Sequence, residues 1–330
     1  MRILICGLGS IGRRHLKNLV ALGQDDIVLF RTGKATLPDD DLAAWPTEDS
    51  LERALERWAP QAAVVSNPTS LHLPTALAAA EAGCSLFVEK PVADSLDGLG
   101  HLASELEAHD RPALVGFQFR YHPGLRAAGD LMESGAIGRP ISARAVWGEF
   151  LPDWHPWEDY RQSYSARSDL GGGVLLTLCH PFDYLRWFFG DVHSVTGEMQ
   201  RTGALEVGVE DAADVWLAFH SGMTASVHLD YHQRPAEHHL TVVGTRGTLR
   251  WDNATGGVHW WSEETPSWQE IPAPPGFERN DMFVEEMRHF LDVIEGRAEP
   301  ACTLTDGTQA LRVALAARQS AETGQRVEWN

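Results

Sequence analysis

Cysteine is scarce in this chain. Its four copies, Cys6, Cys84, Cys179 and Cys302, are scattered through 330 residues with no CxxC pair. That spacing argues against a disulfide framework or a cysteine-built zinc site, and free thiols suit a reducing cytoplasm. Positive charge is also in deficit: 27 Lys and Arg stand against 46 Asp and Glu, a formal net charge of −19. Nucleic acid needs a basic footprint for its phosphates, so that class of partner is disfavoured. A small anion held by local backbone dipoles is still compatible. No apolar run approaches the ~20 residues of a membrane span. The opening MRILICGLGS reads as a buried strand, not a leader. There is no internal repeat and no low-complexity linker.

What the chain does have is an ordinary globular composition, 43% hydrophobic and 22% charged, at a length that suggests two domains. Up to residue 121, apolar runs (RILIC, DIVLFR, AAVVSNP, CSLFVEK, PALVGFQFR) alternate with helical stripes such as Ile11, Leu16, Leu19, Val20 and Leu22 before Gly23. Strands that are apolar throughout and separated by helices predict a parallel sheet covered on both faces. From 122 onward the texture changes to alternating segments: ISARAVWGEF, VWLAFH, TASVHLDYH, HHLTVVG, GTLRWD and GVHWWS. These predict a large, mainly antiparallel sheet. One apolar helix is expected over LLTLCHPFDYLRWFFG, and two amphipathic helices at about 279–296 and 306–323. PSWQEIPAPPG reads as a surface loop. The expected fold is α/β, with a dinucleotide-binding domain at 1–121 and a substrate-binding and oligomerisation domain at 122–330.

Gly7, Gly9 and Gly12 form GxGxxG between a predicted strand and a predicted helix, the context that gives this pattern weight. Gly7 permits the tight turn, Gly9 lets the backbone approach a pyrophosphate, and Gly12 lets helix and strand pack closely. Ser10 and Ile11 begin the helix whose positive end faces the phosphates. At the end of the second strand stand Arg31, Thr32 and Lys34, while Asp25 and Asp26 lie at its other end. Arginine there suits the 2′-phosphate of NADP, and NAD is the alternative. The alternative reading of Arg31 and Lys34 is simply a solvated loop.

The stretch LFVEKPVADS, 86–95, ends an apolar run on Glu89, Lys90 and Pro91. Lysine loses hydration when it leaves water and proline cannot continue a ladder. Both make sense at the carboxyl end of a strand in a doubly wound sheet, where ligands bind. Together with GLGSIG (7–12), SNPTSLH (66–72), GFQFRYHP (116–123), GGGVLLTLCHPFDYLRWFFG (171–190) and GTRGTLRWD (244–252), in this order, EKP resembles the Gfo/Idh/MocA oxidoreductases. The resemblance implies a Rossmann domain followed by an α/β domain with an open-faced sheet. That sheet commonly forms the subunit interface, hence a homodimer or homotetramer. It also implies that Lys90 contacts nicotinamide ribose and substrate, often beside a cis peptide at the proline. Asn67, Pro68, Thr69, His72, Glu89 and Gln118 would line the cofactor.

One departure stands out. The family usually places an aspartate four residues before a histidine soon after the glycine triplet. Here Thr177 occupies the aspartate position and His180 follows only three residues later, although His180, Asp183 and Trp187 keep the family spacing. One residue deleted before His180 accounts for both facts. Thr177 cannot act as a base, so His180 is the expected base, with Lys90 donating to the same oxygen. Asp183, on the same helical face as His180, either orients the imidazole or serves as a core acceptor.

The loop up to Arg167 gathers Trp154, His155, Trp157, Tyr160, Arg161, Tyr164 and Arg167. Aromatic faces beside hydrogen-bonding groups suit a sugar, and equally suit packing of the loop. Trp154, Tyr160, Arg161, Arg120 and Thr177 join Lys90 and His180 as substrate candidates. Gln118, Arg120 and His122 follow a strand end and are either site contacts or pins between the domains. The histidines at 228, 232, 238 and 239 make no closed ligand set, so they are assigned to surface or interface and no metal is expected. The functional expectation is an NADP(H)-dependent oxidoreductase acting on a secondary alcohol or ketone of a sugar, amino sugar or polyol. The alternatives are a glycoside hydrolase with a recycled nicotinamide and a non-catalytic cofactor-binding protein.

Overall fold

The computed structural model of the chain describes residues 1–33, 37 and 42–329; Lys34 lies outside the described residues. The first sheet is built from β1 (Ile3–Cys6), β2 (Ile27–Phe30), β3 (Thr47–Glu48), β4 (Ala62–Val65), β5 (Ser85–Glu89) and β6 (Ala113–Gly116). Helices α1 (Ser10–Ala21), α2 (Leu51–Trp58), α3 (His72–Glu81) and α4 (Leu99–Ala108) connect them. All neighbours are parallel, in the order β3-β2-β1-β4-β5-β6. Every residue of β1, β4, β5 and β6 is buried, as helices on both faces demand. The order reverses beside β1, and ligands bind at the carboxyl ends beside such a switch point. Register sets that edge: Cys6 pairs with Phe30 and with Val65, Val65 with Val88, and Glu89 with Gly116. Gly7, Arg31, Ser66 and Glu89 therefore leave the sheet at one level.

After α5 (Pro123–Glu133) comes β7 (Pro140–Gly148), then α6 (Val174–Thr177) and α7 (His180–Phe189). The strands β8 (Val192–Gln200), β9 (Ala212–Phe219), β10 (Thr224–Asp230), β11 (Glu237–Gly244), β12 (Gly247–Asp252), β13 (Val258–Ser262) and β14 (Trp268–Ile271) follow. The chain closes with α8 (Arg279–Ile294), α9 (Leu304–Thr323) and β15 (Val327–Glu328). The second sheet runs β14-β13-β12-β11-β7-β10-β9-β8-β15, antiparallel except for the β7–β10 pair. Its strands alternate: β9 buries Ala213, Val215, Leu217 and Phe219 while Asp214 and Trp216 face solvent. One face is packed and the other is open.

Three expectations need correction. LLTLCHPFDYLRWFFG is two helices, because Pro181 lacks an N–H and fits only a first helical turn, so α7 restarts at His180. Within PSWQEIPAPPG, residues Trp268–Ile271 pair with β13 as an edge strand. The chain also divides differently from a single boundary at 121–122. One packed unit holds 1–118, 169–171 and 279–308; the other holds 119–168, 172–278 and the chain from Gln309. The reason is burial on the first unit's own core. In α8, Phe290 meets Phe87 of β5 at 5.6 Å and Phe283 meets His15 of α1 at 6.3 Å. Asn280 donates to Asn18 (3.0 Å), and Ser70 Oγ donates to the carbonyl of Asp169 (3.0 Å).

Candidate functional site

In the first unit the glycine loop is shaped by packing at two positions and not at the third. Gly7 has φ +95°, and a Cβ there would lie 2.5 Å from the amide nitrogen of Asn67. A Cβ on Gly12 would overlap the carbonyl oxygen of Gly7. Gly9 has an ordinary φ of −70° and a Cβ would meet nothing within 4 Å, so no packing among the described residues requires glycine there. A ligand backing onto the main chain does. No side chain caps α1 and its first turn holds no acidic residue, so its positive end, at Ser10 and Ile11, suits an anion. These residues fit a dinucleotide pyrophosphate.

Arg31 follows β2 at the same level, its amide donating to the carbonyl of Glu48 (3.1 Å), and Thr32 beside it is exposed. Asp26 sits at the opposite end of the strand, paired with Arg2 (2.9 Å). At the end of β4, Ser66 Oγ donates to the carbonyl of Gly7 (2.9 Å), and Asn67 Nδ2 donates to Thr75 (2.8 Å). Pro68 and buried Thr69 enter the short turn before α3. Gln118 is buried beyond β6.

Two histidines hold the residues that flank Lys90, His15 through the Glu89 carboxylate and His72 through the Pro91 carbonyl. His15, fully buried on α1, meets Glu89 Oε1 through Nε2 at 2.7 Å, and the other carboxylate oxygen accepts the amide of Lys90 (3.1 Å). On the far side His72 places Nδ1 2.8 Å from the carbonyl of Pro91 and Nε2 2.8 Å from that of Asn67. The Lys90–Pro91 bond is cis. Burial pushes the Glu89 pKa up, but the hydrogen bond and charge of His15, with Lys90 and His72, outweigh it, and Glu89 ends below the ordinary glutamate value. Burial lowers the pKa of His72, opposed by its two carbonyl partners and by Glu89.

The second unit treats His180 differently. It is the first residue of α7, buried, and walled by aromatic rings: Phe119 edge-on at 4.9 Å and Trp147 at 5.3 Å. Three residues on, Asp183 accepts Arg120 Nε at 2.9 and 3.2 Å and Nη2 at 2.6 Å, an ion pair with both partners buried. Arg120 thus anchors α7 within its own unit. Thr177, where the family pattern has aspartate, is buried beside Tyr231, whose hydroxyl donates to the carbonyl of Ser165 (3.2 Å). Burial drives the Tyr231 pKa well above 10, so its proton stays in place.

The aromatic loop is partly committed elsewhere. Tyr160 donates to the carbonyl of Leu205 (2.9 Å), and Arg161 is paired with Asp159 (2.8 Å) and Glu206 (3.0 Å) at the surface. Trp154 lies edge-on to Tyr231 at 5.5 Å. His122 is fully buried with a pKa lowered to about 4, chiefly by burial, and accepts the amide of Gly124. His238 is not a surface residue: β11 turns it to the packed face, where it stacks on Trp147 at 4.3 Å. His228 and His232 sit instead beside Asp214 and Asp211. Among the described residues no group of three or more His, Cys, Asp and Glu is placed to hold a metal, and no helix is long and apolar enough to cross a membrane.

Sequence reasoning missed His15, Tyr231 and the rings around His180. In GRRHLKN, His15 is flanked by cations and looks like surface; only its three-residue offset from Gly12, with Leu16 and Leu19 marking the buried stripe, hints otherwise.

Comparison with known proteins decides the lineage. Residues 1–117 match the model of an oxidoreductase family with an NAD-binding Rossmann fold, and residues 125–250 match a GFO/IDH/MocA C-terminal domain. The chain belongs to the Gfo/Idh/MocA oxidoreductase family. It is 30% identical to a 1,5-anhydro-D-fructose reductase of Ensifer adhaerens over 81% of this chain and 79% of that one. It is 26% identical to a myo-inositol 2-dehydrogenase of Thermotoga maritima over 98% and 96%. In fold it is similar to a levoglucosan dehydrogenase solved with NADH and levoglucosan (TM-score 0.87, 18% identity, 99% of each chain).

Proposed function

We propose that the chain interconverts a secondary alcohol and a ketone on a sugar, amino sugar or polyol, with NADP(H) preferred over NAD(H). The observation that carries this reading is the carboxyl edge of the parallel sheet, where the glycine loop, Arg31 and Glu89 leave at one level and Lys90 follows directly. The names of the relatives, an anhydrofructose reductase and an inositol dehydrogenase, support the substrate class. When bound, the nicotinamide accepts or returns the hydride. His180 takes the hydroxyl proton and gives it back in the reverse direction, for which a positioned base contributes ~10²–10⁴ in rate. Lys90 donates a hydrogen bond to the same oxygen and stabilises the developing alkoxide. Asp183 and Arg120 hold α7, and through it His180. Thr177, buried beside Tyr231, is assigned to substrate contact, since a threonine hydroxyl is no base at neutral pH. Trp154, Tyr160 and Arg161 shape the substrate side.

The NADP preference rests on Arg31 at the carboxyl end of β2. Glu48, the neighbour on β3, points its carboxylate at Trp58 (3.0 Å) and Arg57 (3.1 Å). Exposed Trp216 (53%) and Trp268 (49%) on the open face of the second sheet support self-association through it, as a dimer or tetramer. Buried free thiols support a reducing, cytoplasmic setting.

The test is reduced-nicotinamide absorbance with NADP and NAD in parallel, across inositols, 1,5-anhydro-D-fructose, levoglucosan, and free, phosphorylated and nucleotide-linked sugars. Substrate-dependent reduction or oxidation, faster with NADP(H), is expected. Turnover with NAD alone removes the Arg31 assignment. Release of an aglycone without net cofactor change replaces the dehydrogenase with the hydrolytic alternative. Light scattering that finds only monomers removes the sheet interface.

A further inference from the structure

We infer that His15 is a positioning residue for Lys90: through Glu89 it ties the helix behind the glycine loop to the backbone of the lysine, so that cofactor seating and lysine placement are one event. The inference rests on the functional reading above for why the lysine must be placed, but the link itself stands on geometry within the first unit.

Three observations carry it. His15 is fully buried, with Phe87 edge-on at 4.9 Å and Phe283 at 6.3 Å, an environment an apolar ring would fill as well. A ring nitrogen buried there needs a hydrogen-bond partner to offset its lost hydration, whereas an apolar ring has no such need. Packing alone therefore does not account for the imidazole. Secondly, both oxygens of Glu89 are used, one by the His15 ring at 2.7 Å and one by the Lys90 amide at 3.1 Å. Cutting the first bond frees the carboxylate that fixes the second. Thirdly, His15 lies three residues beyond Gly12 on α1, so a pyrophosphate that seats against the start of that helix bears on the same rigid element. His72 holds the next carbonyl, that of Pro91, from α3, so the backbone around Lys90 is fixed on both flanks and only the His15 side reaches the phosphate-binding helix.

The test reads the Lys90 amide itself by hydrogen exchange, alongside NADH and NADPH affinity, in the full chain. His15→Phe keeps ring volume and removes the partner of Glu89; His15→Gln restores a donor. In wild type, cofactor is expected to slow exchange at Lys90. In His15→Phe, exchange at Lys90 is expected to rise about 10-fold or more relative to the unaltered amides of Ala63 and Val64, and cofactor affinity to fall by about 10-fold, the loss of one hydrogen bond to a charged group. His15→Gln should recover most of both. Unchanged Lys90 exchange and unchanged cofactor affinity in folded His15→Phe overturn the inference. If that variant does not fold, Glu89→Met, which has neither oxygen, is read in the same way, and an unaltered Lys90 amide there overturns it too. Failure of the wild type to bind either cofactor would instead strike the functional reading, while exchange in the ligand-free protein still decides the His15 link.

Discussion

Lys90 and His180 are both half-hidden or hidden, yet their surroundings are opposites. Lys90 is framed by polar groups: Glu89, His15 and His72 fix the backbone on either side of it. His180 is framed by rings, Phe119 and Trp147, with an Arg120–Asp183 pair holding its helix. The difference follows from the side chains. A lysine hangs on a flexible four-carbon stem, and packing grips such a stem poorly, so fixing its starting point by hydrogen bonds is the effective control. An imidazole is a flat ring with two torsions, and neighbouring rings can set both. Polar fixing is selective for backbone position; aromatic fixing is selective for ring plane.

The first way to break that comparison is to remove each group while sparing its frame. His180→Asn and Lys90→Met are expected to keep the fold and to lose turnover by ~10²–10⁴ and ~10²–10³ respectively. Lys90→Arg should not rescue, because the planar guanidinium is no point donor on a flexible stem. Single-turnover kinetics check both, and activity within a factor of a few of wild type in either removes that residue from the chemistry.

The frames themselves come next. Asp183→Ala leaves Arg120 charged and buried without its partner, a change that costs about 3–5 kcal/mol of stability. The paired replacement Arg120→Met with Asp183→Leu should be far milder than either single change, since two apolar groups leave no orphan charge. Denaturant midpoints decide. If the double variant is as unstable as the single, the pair stabilises α7 by more than its charges.

The sheet edge was legible for a plain reason: parallel strands are buried on both faces and so are written as unbroken apolar runs, while GxGxxG marks the first turn. Lys90 stood out because lysine and proline are costly within a strand. Asp183 was placed on the right helix face by its spacing, but its partner was not, since Arg120 lies 63 residues away and nothing in the local pattern joins them. The helix break before His180 was written in Pro181 and was overlooked inside a strongly apolar run. His238 was misassigned because histidine in an alternating strand reads equally well on either face until a neighbour such as Trp147 decides the register. The return of α8 to the first unit was the least legible of all: an amphipathic helix shows that it has a face to bury, not against which sheet.

The smallest expected effect lies on the open sheet face, where a histidine is held by carboxylates at the surface rather than by a buried frame. His228 lies 3.3 Å from Asp230 and 2.8 Å from Asp214, and its pKa is raised to about 9, chiefly by the hydrogen bond with Asp230 against an opposing loss of hydration. A folded-state pKa above the unfolded value means the stabilisation is complete below about pH 6.5 and is lost as pH climbs towards 9. The His228 side chain is 40% exposed and that of Asp214 71%, so solvent screening holds the gain to about 1 kcal/mol or less. Wild type should therefore lose slightly more stability than His228→Asn between about pH 6 and about pH 9.5, as read from urea midpoints. Burial of the same face between copies would cut the screening, and the pH-dependent difference should then grow with protein concentration. A flat difference at every concentration would mean that the carboxylates hold His228 no better than water does, and that the polar logic seen around Lys90 stops at the surface.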